Sequence, residues 1–213
     1  MDDAALLVYR ALLAHYGEPS WWPAADSYEV IVGAVLTQNT AWRNVEQALA
    51  GFGGDLTPQR VAGIDSSELM AIIRPAGFFH QKAACLKAVT AWFAGYGYDV
   101  VAVRREPLAK VRAELLAVKG VGPETADAIL LYAFDFPVFV VDAYTNRLCR
   151  RYPLPAGQSY AAVQAYFTAN LPVDASLYNR FHALIVVNAK QHCRKQPLCV
   201  GCPLAAHCQG AAS

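Results

Sequence analysis

The stretch 115-LLAVKGVGPETADAILLYAF-134 decides how this chain folds. Apolar residues at helical spacing run into Gly120-Val121-Gly122, and Pro123 follows where a second apolar helix begins. Proline in a first helical turn costs nothing, because the N–H it lacks would be unpaired there. The reading is a helix, a hairpin and a helix. The glycines let a partner approach the backbone, and the free N–H groups opening the second helix suit an anion such as a phosphate. Taken alone, the same residues also describe an ordinary tight turn between packed helices.

Around this stretch the pattern is helical. Apolar spacing predicts helices over 4–16, 28–36, 42–52, 67–73, 81–93, 111–118, 125–134, 161–169 and 177–189, separated by turns such as Gly53-Gly54-Asp55 and Leu154-Pro155-Ala156-Gly157. Only Pro137–Val141 reads as extended, so the class is all-α. With 213 residues, 55% of them hydrophobic, the chain can bury one large core or two small ones. A net charge of +1 excludes a broad basic face, so any contact with nucleic acid must be focused. No window reaches the roughly 18 apolar residues of a membrane span, and residues 1–30 lack a basic start followed by an apolar run. The expectation is a cytoplasmic monomer with no membrane partner. In that compartment the four cysteines of the tail, Cys193, Cys199, Cys202 and Cys208, point to metal or redox chemistry before crosslinks. Cys85 and Cys149 lie in apolar helices and read as buried thiols.

After the hairpin and the hydrophobic run FPVFVV (136–141), Asp142 opens VDAYTNR, where it reads at the least as a helix N-cap. With LTQNT (36–40), GFFHQKA (77–83), RFHALIV (180–186) and the cysteine tail, this order resembles the helix-hairpin-helix DNA glycosylases related to endonuclease III. The resemblance implies two helical domains with a DNA-binding cleft between them. One, of six helices, spans 22–133 and ends in the hairpin; the other joins 1–21 to 134–213 and carries the tail. It also implies that Asp142 is catalytic, that the four tail cysteines hold a [4Fe–4S] cluster, and that the hairpin takes a monovalent cation. Tetrahedral zinc is the rival occupant of the cysteines. Five residues separate Cys193 from Cys199, where the family usually has six. The implied partner is double-stranded DNA containing a damaged base, associated with the nucleoid in a prokaryote.

The resemblance also bears on the reaction. Glu124 stands where strand-cleaving relatives carry the lysine that forms a Schiff base, which implies a monofunctional enzyme with water as nucleophile. Asp142 would then stabilise the cationic transition state and orient that water. Residues 19–47, PSWWPAADSYEVIVGAVLTQNTAWRNVEQ, are similar to the branch that excises alkylated purines such as 3-methyladenine. There Trp21, Trp22 and Trp42 would stack on a cationic flipped base, although Trp21-Trp22-Pro23 also reads as a core anchor. Glu124 and Lys190 would lie by the pocket. Gln38 would enter the space the flipped nucleotide leaves, His80 in the GFFHQK turn would approach the opposite strand, Lys82 would contact a phosphate, and Gly120, Val121 and Gly122 would hold the DNA backbone. The alternatives are an oxidised-pyrimidine glycosylase and, from another class, a non-catalytic DNA-binding protein that senses lesions or redox state.

Overall fold

The computed structural model describes residues 4–19 and 24–211. Among them there are twelve α-helices and no strand, so the protein is all-α. The chain divides into two compact units, one of residues 22–136 and one of residues 1–21 with 137–213.

The unit of residues 22–136 holds α2 (Ser27–Leu36), α3 (Trp42–Ala50), α4 (Pro58–Gly63), α5 (Ser66–Ile73), α6 (Phe79–Ala94), α7 (Val100–Arg104), α8 (Leu108–Ala117) and α9 (Pro123–Phe134). Its centre is α2, buried from Tyr28 to Leu36 except at Glu29, and α9, buried from Thr125 to Phe134 except at Tyr132. Helices apolar on every side must pack on more than one neighbour. Accordingly α2 meets α3, α6 and α9, while α8 and α7 cover α9. The short helices α4 and α7 begin at side-chain caps, Thr57 on the Arg60 amide and Asp99 on the Val101 amide. Such caps stop short helices from fraying, and helices this short escape a search for periodicity, so the described residues of this unit hold eight helices where the resemblance implies six.

The other unit is built from α1 (Ala4–Tyr16), α10 (Ala143–Arg151), α11 (Tyr160–Asn170) and α12 (Ala175–Gln191). Helix α12 packs on α1 and α10. Phe139, Phe167 and Phe181 form a mutual aromatic core, with the first two rings stacked at 4.2 Å. Residues 138–141 are extended and buried, as read from sequence, but form no sheet. A buried carbonyl still needs a donor. The Gln164 Nε2 amide supplies one to Phe139 O at 2.7 Å.

The two helices of the hairpin are also tied by charge. Asp127 on α9 is fully buried, and the Arg112 guanidinium on α8 donates to both of its oxygens, at 2.7 and 3.0 Å. Deleting one partner of such a pair strands the other charge, although Arg112 is partly exposed and water softens the loss. Arg112→Met is expected to lower stability in urea unfolding by about 2–4 kcal/mol.

Candidate functional site

In the first unit described, three loops converge on the hairpin and its surroundings. Gly120 has φ +95°, a conformation suited to glycine, and a Cβ there would meet Cys85 Sγ at 3.1 Å. The hairpin closes on itself through Val121 N–H to Val118 O at 3.0 Å, and Val121 turns its side chain inward. Gly122 caps α9 without a side chain, leaving backbone amides at the helix start. Gln38, in the LTQNT loop, is half-buried and donates from Nε2 to Gly120 O at 3.0 Å and to Thr125 Oγ1 at 2.9 Å. Of the flanking residues, Trp42 is half-buried and donates from Nε1 to Glu46 at 3.0 Å, while Glu124 is exposed in the first turn of α9.

Lys82 does not sit where a phosphate contact was expected. Its side chain is buried, and Nζ donates to Leu36 O and Ala76 O, both at 2.8 Å. Burial pushes its pKa down. These carbonyls end the segments that lead into LTQNT and GFFHQK, so the ammonium pins the bases of both loops instead of reaching out to solvent. Periodicity could not show this, because a lysine on a helix is read as solvated until the tertiary partners are known.

Phe78, in the GFFHQK turn that the sequence places toward the opposite strand, has a backbone that residue type does not announce. It has φ 48° and ψ 33°, left-handed for a bulky aromatic, and it is 62% exposed. Neither packing nor water favours that arrangement, and such strain collects at functional positions. His80, two residues on, is exposed, and Phe79 lies against its ring at 4.5 Å.

In the other unit, Asp142 caps α10: Oδ1 accepts the Thr145 amide at 2.7 Å. Oδ2 faces His182 Nε2 on α12 at 3.6 Å, an electrostatic contact longer than a hydrogen bond. Burial works to raise the Asp142 pKa, but the His182 imidazole and the Thr145 amide together hold the carboxyl below its ordinary range. It is a largely buried carboxylate, 14% exposed, whose surroundings favour its charged form. Lys190, in the last turn of α12, is exposed.

Cys193, Cys199, Cys202 and Cys208 line one small pocket with His192 and Arg151. Arg151 donates to Cys193 Sγ at 3.3 Å and to the carbonyls of Arg194 and Lys195, while Arg147 donates to Cys193 O at 2.6 Å. Among the described residues no three His, Cys, Asp or Glu side chains are grouped as ligands of a metal ion. Cys85 is buried and Cys149 half-buried, and burial raises both thiols to a pKa of about 11. Trp21 and Trp22 lie outside the described residues.

Residues 32–172 match the family described as HhH-GPD superfamily base excision DNA repair protein. The chain belongs to this superfamily. A relative from Methanocaldococcus jannaschii that carries the name of a DNA repair glycosylase is 44% identical over 206 residues, covering 94% of each chain. Endonuclease III of Thermotoga maritima is 28% identical over 187 residues, 86% of this chain and 83% of its own. Among solved structures, the H. pylori 3-methyladenine DNA glycosylase bound to 1,N6-ethenoadenine superposes with a TM-score of 0.77 at 30% identity, covering 88% of this chain and 97% of its own. A trapped endonuclease III–DNA covalent intermediate gives a TM-score of 0.81 over 97% of this chain and 95% of its own, at 22% identity, which speaks to fold alone. As a member of a DNA glycosylase family, the protein carries the hairpin and the Asp-capped α10 within the matched residues. No helix among the described residues is long and apolar enough to cross a membrane.

The strain at Phe78 makes a separate test. Glycine there removes about 1–2 kcal/mol of left-handed strain and costs about 0.4–1 kcal/mol in the unfolded chain, with little burial lost. Phe78→Gly is expected to leave thermal stability unchanged or to raise it by about 1 kcal/mol.

Proposed function

We propose that this glycosylase is monofunctional and hydrolyses the N-glycosidic bond of an alkylated purine such as 3-methyladenine, with Asp142 as its catalytic carboxylate. The observation that carries this reading is the buried, ionised Asp142. As the base departs, positive charge develops on the sugar, and a fixed negative charge in a poorly hydrated place stabilises it strongly. Oδ1 is engaged by the Thr145 amide, so Oδ2 is the oxygen available to face the sugar or to orient water. Glu124, where a nucleophilic lysine would stand, cannot form a Schiff base. The substrate reading is supported by the likeness to the H. pylori 3-methyladenine DNA glycosylase and by Trp42, whose indole would attract a cationic base. Oxidised pyrimidines are the second reading, supported by the endonuclease III relatives.

Around the duplex, Gln38 and the strained Phe78 would meet the space left by the flipped nucleotide and the opposite strand, with His80 beside them. The amides at the hairpin would hold a phosphate. Val118 O accepts the Val121 amide and Gly120 O accepts Gln38, so the hairpin's shape is closed by its own groups.

The four tail cysteines would hold a [4Fe–4S] cluster. The donor chemistry fits: four thiols line one pocket, and the Arg151 guanidinium donates to Cys193 Sγ. When bound, the group supplies metal–sulfur bonds that tie the C-terminal loop. Protein purified without oxygen is expected to be yellow-brown with about four irons per chain. A colourless preparation with stoichiometric zinc would contradict the assignment.

The reaction is tested on duplexes carrying single alkylated, oxidised or deaminated bases. The expected product is an intact abasic strand that breaks only after alkali, with no protein–DNA adduct trapped by borohydride and the fastest release from the alkylated purine. Efficient trapping would show that a lysine has taken the nucleophile's role.

A further inference from the structure

The motif RFHALIV (180–186) carries a histidine inside the apolar helical run that follows Arg180. In the structure His182 is 4% exposed, at the middle of α12, and its Nε2 lies 3.6 Å from Asp142 Oδ2. We propose that His182 is the positioning residue for Asp142, presenting an Nε2 proton to Oδ2 and thereby fixing the carboxylate's rotation and its charge. The proposal rests on the reading of Asp142 as catalytic.

Three observations support it. The α10 cap secures only one oxygen, Oδ1, through the Thr145 amide. A carboxylate held at one oxygen can still swing about its last bond, which would misplace the charge relative to the sugar. His182 stands at the other oxygen, on a different helix, and α10 and α12 are packed together. The second observation is that burial alone would favour the neutral acid, yet the carboxyl is held below its ordinary range. Of the titratable groups near it, His182 is the one whose charge acts on Asp142. Several others on the packed elements are engaged elsewhere. Arg180 is ion-paired with Glu18, Arg147 lies over the Tyr144 ring and donates to Cys193 O, and Arg150 donates to Asn146 O. On α1, Tyr16 donates to Asn188, and the Tyr9 hydroxyl lies in the field of Arg180, Glu18 and Asp174. The third is the contact's length. Catalytic pairs are often long in the free enzyme and shorten when substrate excludes water, so a 3.6 Å approach leaves room to tighten.

The arrangement also assigns the carboxylate's mode of action. With Oδ1 accepting the Thr145 amide and Oδ2 facing His182 Nε2 at 3.6 Å, Asp142 works chiefly as a fixed charge that stabilises the cationic sugar.

The test is single-turnover base release from an alkylated-purine duplex as a function of pH, with lesion affinity and circular dichroism recorded in parallel, for wild type, His182→Phe, His182→Gln and Asp142→Asn. Lowering the pKa of an acid that works ionised keeps activity in acid. The wild-type rate is therefore expected to stay level as pH falls from neutral to about 5. His182→Phe is expected to cut the rate about tenfold at neutral pH and to move the acid limb up by about one unit, with affinity unchanged. His182→Gln restores a donor without an ionisable ring. It is expected to recover the neutral-pH rate to within about threefold, with an acid limb between those of wild type and His182→Phe. A folded His182→Phe with the wild-type rate and acid limb overturns the proposal. Should that variant fail to fold, His182→Gln decides alone: an acid limb coinciding with wild type's overturns it. Asp142→Asn separates the two levels, since wild-type activity in that variant overturns the catalytic reading itself, whatever His182 does.

Discussion

A carboxylate that stays charged while almost out of water is the constraint around which one half of this protein is arranged. Burial works to raise the Asp142 pKa. The Thr145 amide at the start of α10 and the His182 imidazole on α12 oppose that, and each needs its helix held in place. The stacked Phe139–Phe167 pair, Phe181 and the Gln164 bond to Phe139 O hold the segment that delivers Asp142 to its cap. Chemistry and core packing are thus one problem, because loosening the aromatic core would free the carboxylate.

The other unit holds its loops in place by internal ties. A buried ammonium, Lys82, joins the carbonyls at the bases of two loops, and the Gln38 amide joins one of those loops to the hairpin. Arg112 and Asp127 lock the hairpin helices together beneath. Phe78 and His80 are exposed on this framework, beside the hairpin amides that open α9.

Much of this was legible in the sequence. The glycine–proline punctuation at 120–123 gave the hairpin, apolar spacing gave most of the long helices within a few residues, and the cysteine spacing marked the tail. The rest depended on partners far away in sequence. Lys82 reads as a solvated helix residue unless Leu36 O, 46 residues earlier, is known to face it. Gln38 finds Thr125 across 87 residues. The left-handed backbone at Phe78 has no signature in residue type, since glycine would be the ordinary choice there. His182 was quoted without a role because a lone histidine on an apolar helix face is most often core.

The central claim, that a fixed negative charge at Asp142 drives base release, is tested most directly by Asp142→Asn, which keeps the cap and the shape and removes the charge. Single-turnover release of an alkylated purine should fall by about 10²–10³ while affinity for the lesion duplex and the melting temperature stay near those of wild type. A rate within a few-fold of wild type would contradict the account.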